Sequence, residues 1–494
     1  MMNNYWSNRA VELEKLLQDK TNATIVEINK LYSDASKSIA SKIAKIFETY
    51  KKGGQIDSAH ALQLLTAHQT AEQRKELLEL LSRTTDKKAR REIISILDAP
   101  AYADRISRLQ ALQDLVKAEA LQLGIAEEKL TTARLKDVAK ASYYRTIYND
   151  QKNIGKAYDF NKISSRQLKA MLAHKWSGSN YSARIWNNND KFIDKLQRTI
   201  EVGCMAGLTL RELEDRIVDD CIGETSDEGQ RFCASRLIRT EVNYFANQGM
   251  LMGYEEAGIK KYLFVATLDL KTSEICRKLD LKSFQVSEAE AGVNLPPMHP
   301  FCRSVTIPDT GSRSGTRWAR NPITGKSMKV PADMTYEQWY DKYVLTKEEE
   351  YAIKQYIGSK SYRVNEKLRQ KLPLTDEENQ FIITLDSALN KMPKYEGHLN
   401  RSLIFDNDED LNRFLADYQV GNTVTYREYL STTFGKVYNP EGQVQIFIVD
   451  SSNGRDISMF NQGEKEVLYE RDNNFFVAEL IKNENAVNIF LEEK

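Results

Sequence analysis

Two glutamates separated by one residue, Glu464 and Glu466, stand directly before the apolar run Val-Leu-Tyr in the stretch "GEKEVLY". Side chains two positions apart in an extended chain project from the same face, so this spacing predicts two neighbouring carboxylates at a strand entrance. Like charges on one face of a loop often mean only a solvated edge. A fixed carboxylate can also stabilise positive charge that develops when a bond breaks. The pair is therefore a candidate for catalysis.

Two other polar motifs precede the glutamates. Arg401 closes "KYEGHLNR", and the triplet Ser431–Thr433 follows in "YREYLSTT", at the predicted end of a strand. Arginine, Ser-Thr-Thr and Glu-x-Glu in this order resemble the arginine/STS/ExE class of mono-ADP-ribosyltransferases, specifically the exotoxin group. The Tyr-x-Gly-x-x-x-Tyr stretch at Tyr356–Tyr362, predicted as a helix, fits this resemblance too. The likeness covers residues 335–494 and implies an α+β transferase fold of two packed β-sheets with flanking helices.

The resemblance implies a role for each polar residue, with NAD+ as substrate. Arg401 would bind the NAD+ diphosphate, because a guanidinium pairs bidentately with phosphate oxygens. Glu466 would stabilise the oxocarbenium-like state formed when the nicotinamide–ribose bond breaks, and would hold the ribose 2′-hydroxyl. Glu464 would orient the guanidinium of an acceptor arginine on a host protein. Ser431 would hydrogen-bond Glu466 and fix its rotamer.

Some positions depart from the family pattern. Ser402, directly after Arg401, stands where glycine is common in the family, and it is a candidate for cofactor binding. Asn400, directly before Arg401, stands where the family has an aromatic residue. Thr433 replaces the second serine of the triplet and keeps a hydroxyl. Phe434 and Phe460 are candidates for an aromatic side chain near the substrate.

A purely structural interpretation stays open for each of these residues. Arg401 could be a surface salt-bridge partner, Ser431 an ordinary hydroxyl at a strand end, and the two glutamates a solvated loop edge. Single motif matches often mislead, but the ordered set favours function. The sequence contains neither G-x-G-x-x-G nor G-x-x-x-x-G-K-[ST]. We therefore do not expect NAD+ to be bound in the Rossmann manner.

A second group of residues lies mid-chain. Cys276, His299 and Cys302 fall in "TSEICRKLD…PPMHPFCRS", together with Asp269 and Asp280. Thiolates and imidazole are ligands that zinc prefers, so these three residues are candidate zinc ligands. Paired C-x-x-C spacing is missing from the segment, and the alternative is a small β fold that buries the same side chains.

Five short motifs in the first 345 residues also resemble those of a known family. "YWSNR", "SARIW", "GLTLRELEDRI", "RLIRTEVNYFANQG" and "TSEICRKLD…PPMHPFCRS" appear in the order found in the phage head morphogenesis (minor capsid protein, Mu F/SPP1-like) family. The resemblance implies a virion component near the portal, with portal and capsid proteins as partners, and no enzymatic activity for this part.

Composition and periodicity suggest a multidomain chain. The amino-terminal half is predicted to be mainly helical, with apolar residues at spacings of three and four from Ile25 onward. A small α+β segment follows, and alternating strands end the chain. We predict a helical assembly region (1–150), a head morphogenesis domain (151–310), a flexible or loosely packed linker rich in Ser, Gly, Arg and Pro (311–334) and the transferase domain (335–494).

The charge balance excludes some classes of protein. Lys plus Arg and Asp plus Glu both number 70, so no specific nucleic-acid partner is indicated. The sequence has no long apolar run and no apparent export signal, so we expect no membrane association. Five cysteines are an odd number, so we expect no disulfide framework. We expect synthesis in a bacterial cytoplasm, residence in the virion (capsid interior or portal region), and transfer to the host cytoplasm on infection.

Together these features predict a phage or prophage minor head protein that carries an NAD+-dependent, arginine-directed mono-ADP-ribosyltransferase. Two alternatives remain open at this point. The carboxy-terminal domain could be a degenerate transferase in a purely structural capsid protein, or the chain could be a toxin delivered outside a virion.

Overall fold

The computed structural model describes residues 5–51, 67–84, 87–98, 108–205, 208, 210–223, 229–311, 315–461, 463–483 and 486–494. The chain divides into two compact units, one of Met1–Trp318 with Lys329–Asp333 and the other of Ala319–Met328 with Met334–Lys494. Within the described residues, none of the helices combines the length and apolar character needed to cross a bilayer.

Helices dominate the first unit. In its described part they are α1 (Tyr5–Lys51), α2 (Ala67–Arg83), α3 (Lys87–Asp98), α4 (Arg108–Ile154), α5 (Ser165–Ala173), α6 (Tyr181–Met205), α7 (Leu210–Arg216), α8 (Gln230–Glu256) and α9 (Glu274–Leu279), with a π-helical turn at Ile217–Ile222. A three-stranded antiparallel sheet follows α8, in the order β2 (Ser283–Gln285), β1 (Lys261–Val265) and β3 (Val305–Pro308).

One large apolar core joins α1, α4, α6 and α8 of this unit. Ile39 of α1, Val138 of α4 and Leu196 of α6 belong to the same buried cluster as Phe245 of α8. The boundary predicted at residue 150 falls inside α4, so the structure places residues on both sides of it in one core. Periodicity identifies the helices, but it does not show which of them share a core.

The predicted linker contains ordered structure. Residues 312–314 lie outside the described part, and strands β4 (Thr316–Arg320) and β5 (Ser327–Pro331) form a two-stranded sheet. Arg317 is buried, and its guanidinium donates to both Asp280 carboxylate oxygens at 2.9 Å. The scarcity of apolar residues suggested a flexible or loosely packed segment, whereas this arginine is paired in the interior.

Five helices of the second unit are described, namely α10 (Tyr336–Tyr343), α11 (Lys347–Gln355), α12 (Ser361–Gln370), α13 (Asp376–Lys391) and α14 (Asp408–Ala416). Capping boxes begin three of them, where Thr335, Thr346 and Thr375 each accept a hydrogen bond from the backbone three residues on. The predicted helix at Tyr356–Tyr362 is interrupted, because a π-helical turn at Tyr356–Lys360 contains Gly358 with non-helical dihedral angles.

Eight further strands lie in the described part of this unit. They are β6 (Gly397–Leu403), β7 (Thr423–Tyr426), β8 (Leu430–Thr433), β9 (Val444–Ser451), β10 (Arg455–Asp456), β11 (Glu466–Tyr469), β12 (Asn473–Lys482) and β13 (Val487–Glu493). Their hydrogen-bonded order is β10-β11-β8-β6-β9-β13-β12-β7, and β13 runs parallel to β9.

This strand order bends into two packed layers. The rings of Tyr469 on β11 and Phe475 on β12 are 5.1 Å apart, although five strand spacings separate these strands along the order. Five spacings in a flat sheet would cover about 24 Å. The bend lies near β6 and β8, which are linked by the single register pair Asn400–Thr433. The predicted architecture of two packed sheets with flanking helices is confirmed in this form.

Candidate functional site

The site is centred on the antiparallel strands β8 and β11. Glu466 pairs with Thr433 and Leu468 pairs with Ser431, so these four side chains share one face. Leu468 joins the buried cluster formed by α11, α12 and α13, which identifies this as the helical face of the sheet. The Ser431 hydroxyl donates to Glu466 Oε1 at 2.6 Å.

Glu466 is a buried carboxylate, with only 5% of its surface exposed. Burial raises its pKa above the usual 4.5, hydrogen bonds from Ser431 and Asn461 oppose that rise, and the nearby Glu464 charge adds to it. A carboxylate held in this way keeps its rotamer and is poorly hydrated, so its charge acts strongly on a cationic group beside it.

Arg401 reaches the same serine from β6. Its Nη1 donates to the Ser431 backbone carbonyl at 2.7 Å, while the Ser431 hydroxyl donates to the Glu466 carboxylate. The serine thus brings a partly buried guanidinium and a buried carboxylate to one place. An anion held by Arg401 and a developing cation stabilised by Glu466 could belong to one bound molecule.

Glu464 does not lie in the strand. It belongs to the turn before β11, and Lys465 between the two glutamates has a left-handed backbone with a φ of 49°. Strand alternation therefore does not set the direction of the Glu464 side chain, although its charge lies near Glu466. The Thr433 hydroxyl donates to the Glu464 backbone carbonyl, which ties the turn to β8.

Two side chains hold the exposed Glu464 carboxylate. The Tyr438 hydroxyl donates to Oε1 at 3.2 Å, and Asn461 Nδ2 donates to Oε2 at 2.9 Å. The Glu464 charge raises the pKa of Tyr438. Neither partner was predicted from the sequence. Asn461 had a weak signal, as a turn-forming residue three positions before Glu464, whereas nothing in the sequence pointed to Tyr438.

Ser402 is not brought to this group by its side chain. Its hydroxyl donates to Gln445 Oε1 at 2.6 Å and accepts from the Asn439 backbone at 3.1 Å. Adjacent residues of a strand face opposite ways, so the Ser402 and Arg401 side chains diverge. Only the Ser402 backbone is adjacent to the arginine.

The aromatic candidates differ in their surroundings. Phe434 stacks on Tyr395 with ring centroids 5.1 Å apart, and Phe460 packs against the helical cluster. Tyr356 is buried, which raises its pKa, and its hydroxyl accepts from Asn365 at 3.1 Å. Tyr362 is 80% exposed.

A separate cluster lies in the first unit. The ligand atoms of Cys276, His299 and Cys302 all lie within 4.8 Å of one another. Cys276 Sγ is 3.4 Å from His299 Nε2 and 3.7 Å from Cys302 Sγ. The hydrogen bond between the two thiols raises the pKa of Cys276 and lowers that of Cys302 to about 6.

The two aspartates of this segment have other partners. Arg303 pairs with Asp269 through both of its terminal nitrogens, and Arg317 pairs with Asp280. Asp280 Oδ1 also accepts from the Ala266 backbone at 2.9 Å. The set of candidate metal ligands that converges in the described residues therefore consists of two thiols and one imidazole, which suits zinc better than a hard cation.

Two family models match this chain. Residues 194–307 match the model of Phage Mu protein F like proteins, and residues 332–494 match the model of ADP-ribosyltransferase exoenzymes. Among curated proteins, an uncharacterised protein of Haemophilus influenzae is 29% identical over 118 residues. The match covers 24% of this chain and 25% of that relative.

The solved structures most like this chain include bacterial ADP-ribosyltransferases. The Clostridium limosum C3 exoenzyme is 19% identical with a TM-score of 0.27, over 31% of this chain and 89% of that one. Pseudomonas aeruginosa exoenzyme S, solved with human 14-3-3 beta and Carba-NAD, is 20% identical with a TM-score of 0.26, over 30% and 74%. The Vis toxin of Vibrio splendidus is 23% identical with a TM-score of 0.24, over 31% and 75%. A segment that matches the Phage Mu protein F like model thus precedes a carboxy-terminal segment that matches the ADP-ribosyltransferase exoenzyme model.

Proposed function

We propose that residues 335–494 form an active NAD+-dependent mono-ADP-ribosyltransferase that modifies an arginine of a host protein. The observation that carries this proposal is the hydrogen bond between Ser431 and the buried Glu466, with Arg401 on the carbonyl of the same serine. Enzymes of the ADP-ribosyltransferase family use NAD+ as substrate. The substrate offers a diphosphate for Arg401 and a ribose that becomes cationic for Glu466.

The reaction that we propose breaks one bond and forms another. The bond between ribose C1′ and the nicotinamide nitrogen breaks, and neutral nicotinamide leaves with the electron pair. Glu466 stabilises the cationic ribose. A guanidine nitrogen of the acceptor arginine then bonds to C1′ and releases one proton, while the Glu464 carboxylate orients the guanidinium.

The test uses the full chain with NAD+ labelled in its ADP-ribose part, incubated with host lysate and separately with agmatine, a small guanidine acceptor. We expect labelled protein and labelled agmatine. Glu464→Gln should lose transfer and still release nicotinamide, and Glu466→Gln should lose both activities by roughly 10²–10³-fold. Glu441→Gln alters an exposed glutamate of the same unit and serves as the matched control.

A wild-type chain that neither labels an acceptor nor releases nicotinamide contradicts this proposal. The transferase would then be degenerate, and the chain would be structural throughout. Labelling of protein without labelling of agmatine would instead contradict arginine as the acceptor.

For the first unit we propose incorporation into the phage head, near the portal. The match of residues 194–307 to the Phage Mu protein F-like family supports this role. Mass spectrometry of purified particles should detect the chain together with portal and capsid proteins. Its absence from particles, with transferase activity intact, would favour a toxin delivered by another route.

A second candidate function is zinc binding by Cys276, His299 and Cys302, supported by their convergence within 4.8 Å. The three residues leave a fourth coordination position for another ligand, and the ion would tie the loop that carries His299 to α9. Elemental analysis of the purified chain should give one zinc per chain, lost in His299→Ala. Cys233→Ser, a cysteine change outside the cluster, should keep the zinc. A wild-type chain without zinc, purified without chelators, would rule the site out.

A further inference from the structure

Glu464 is exposed, yet each of its carboxylate oxygens accepts a hydrogen bond from a different segment of the chain. Tyr438 binds Oε1 from the loop between β8 and β9, and Asn461 binds Oε2 from the turn before β11. A glutamate on a surface turn normally samples several rotamers. Two donors on opposite oxygens select one of them.

The loop that carries Tyr438 is itself anchored to the strand of Arg401. Asn400 is 5% exposed, its Oδ1 accepts from the Tyr438 backbone N–H at 3.1 Å, and its Nδ2 donates to the Lys436 carbonyl at 3.4 Å. The Tyr438 hydroxyl therefore projects from a fixed backbone. Its position relative to β6 does not depend on the turn that carries Glu464.

The turn is held independently from β8. The Thr433 hydroxyl donates to the Glu464 carbonyl and lies 3.4 Å from that of Lys465. Thr433 is also the register partner of both Asn400 and Glu466. Hydrogen bonds from β8 thus hold the backbone of Glu464, and hydrogen bonds to Asn400 of β6 hold the loop of Tyr438, whose hydroxyl binds the Glu464 side chain.

We infer that Tyr438, assisted by Asn461, is a positioning residue for Glu464 and sets how much cleaved NAD+ reaches a guanidine acceptor instead of water. This inference rests on the proposed function. Water needs no oriented partner to attack the ribose, whereas a guanidinium must be held at one angle and distance. Freeing the Glu464 rotamer therefore lowers transfer more than it lowers cleavage.

The test compares Tyr438→Phe with wild type in the full chain, measuring labelled agmatine and released nicotinamide in the same reaction. Phenylalanine keeps the ring and removes only the donor hydroxyl. We expect the ratio of transfer to nicotinamide release to fall roughly three- to tenfold, as expected for the loss of one solvent-exposed hydrogen bond. The KM for agmatine should rise and the KM for NAD+ should stay the same.

Asn461→Ala provides a second variant. Because Asn461 also hydrogen-bonds Glu466, nicotinamide release should fall as well, and transfer should fall further. The matched control is Tyr351→Phe, since Tyr351 is 61% exposed and its hydroxyl binds Gln355 within one helix. That variant should keep the wild-type ratio.

The outcomes separate this inference from the proposed function. If wild type transfers ADP-ribose and Tyr438→Phe keeps the wild-type ratio, the inference is wrong and the proposed function stands. If both activities of Tyr438→Phe fall in parallel, the tyrosine supports the fold and not the acceptor step, which also overturns the inference. A wild-type chain that releases no nicotinamide overturns both.

Discussion

The hydroxyl of Ser431 and the carboxylate of Glu466 meet at 2.6 Å across two antiparallel strands, as a diagonal pair on the helical face of the sheet. The two residues are 35 positions apart in the chain. Strand register brings them together, and the bond is made to the charged form of a carboxylate whose burial favours the neutral form. This relationship has consequences for activity and for stability.

Ser431→Ala should move the acid limb of the pH–rate profile to higher pH. The serine hydroxyl stabilises ionised Glu466, so its removal raises the pKa of a group that must be charged to act. Near neutral pH we expect a loss of nicotinamide release of roughly tenfold or more. Rates of nicotinamide release from pH 5 to pH 9 check this.

Ser452→Ala is the matched control, because its hydroxyl donates to Glu493 at 2.7 Å in the same kind of bond. It should leave the acid limb in place. An unchanged profile in Ser431→Ala would remove the serine from the mechanism.

Glu466→Gln should raise the melting temperature at pH 7. The pKa of Glu466 is raised in the folded state, mainly by burial, so this group favours folding below its usual pKa of 4.5 and loses that contribution as pH rises through the folded value. Glutamine removes the buried charge at neutral pH. Below about pH 4 both forms are neutral and the difference should vanish, which calorimetry at several pH values would show.

Glu493→Gln should change stability in the opposite direction. Burial opposes ionisation of Glu493, but hydrogen bonds from Ser452 and Tyr469 dominate and lower its pKa. Its ionised form therefore favours folding above pH 4.5, and the variant should melt lower at pH 7. Equal shifts in both variants would contradict this account.

Gly249→Ala should destabilise the first unit by roughly 1–3 kcal/mol. A Cβ at this position of α8 would lie 2.5 Å from the backbone oxygen of Ala139 on α4. Helix propensity alone predicts the opposite sign, a gain of about 1 kcal/mol. Thermal unfolding followed by circular dichroism distinguishes the two, and a stabilised variant would show that the helices can move apart at little cost.

Arg317→Met should lower the free energy of unfolding by roughly 3–5 kcal/mol, because the Asp280 charge would stay buried without the guanidinium. The two side chains are 6% and 1% exposed. Lys278→Met is the control, since its pair with Glu274 is exposed and should contribute less than about 1 kcal/mol. Urea titration of both variants measures the difference, and similar losses would contradict the ranking.

Much of the fold could be predicted because each element carries its own local signal. The alternating strands predicted at the end of the chain correspond to β9, β11, β12 and β13. Alternating apolar residues mark strands that bury one or both faces, and this information lies within each segment. The helical half is readable for the same reason, through its period of three to four residues.

The errors came from relationships between segments. Periodicity does not reveal that α4 shares one core with α6 and α8, so the boundary at residue 150 was drawn through a helix. The buried partner of Arg317 is 37 residues away, so composition alone could not show that the predicted linker contains a buried ion pair. The Glu464–Glu466 spacing was interpreted as a strand because a left-handed residue at Lys465 has no signature in a non-glycine sequence.

The sequence by itself determined which chemical groups are available and their order, namely Arg401, Ser431, Glu464 and Glu466. Only the tertiary structure decided how they meet. Ser431 hydrogen-bonds both Arg401 and Glu466, and the Glu464 carboxylate accepts hydrogen bonds from Tyr438 and Asn461. The physical reason is that residue types and periodicity are local properties. Strand register, a turn with positive φ and the burial that raises the Glu466 pKa arise when distant segments pack.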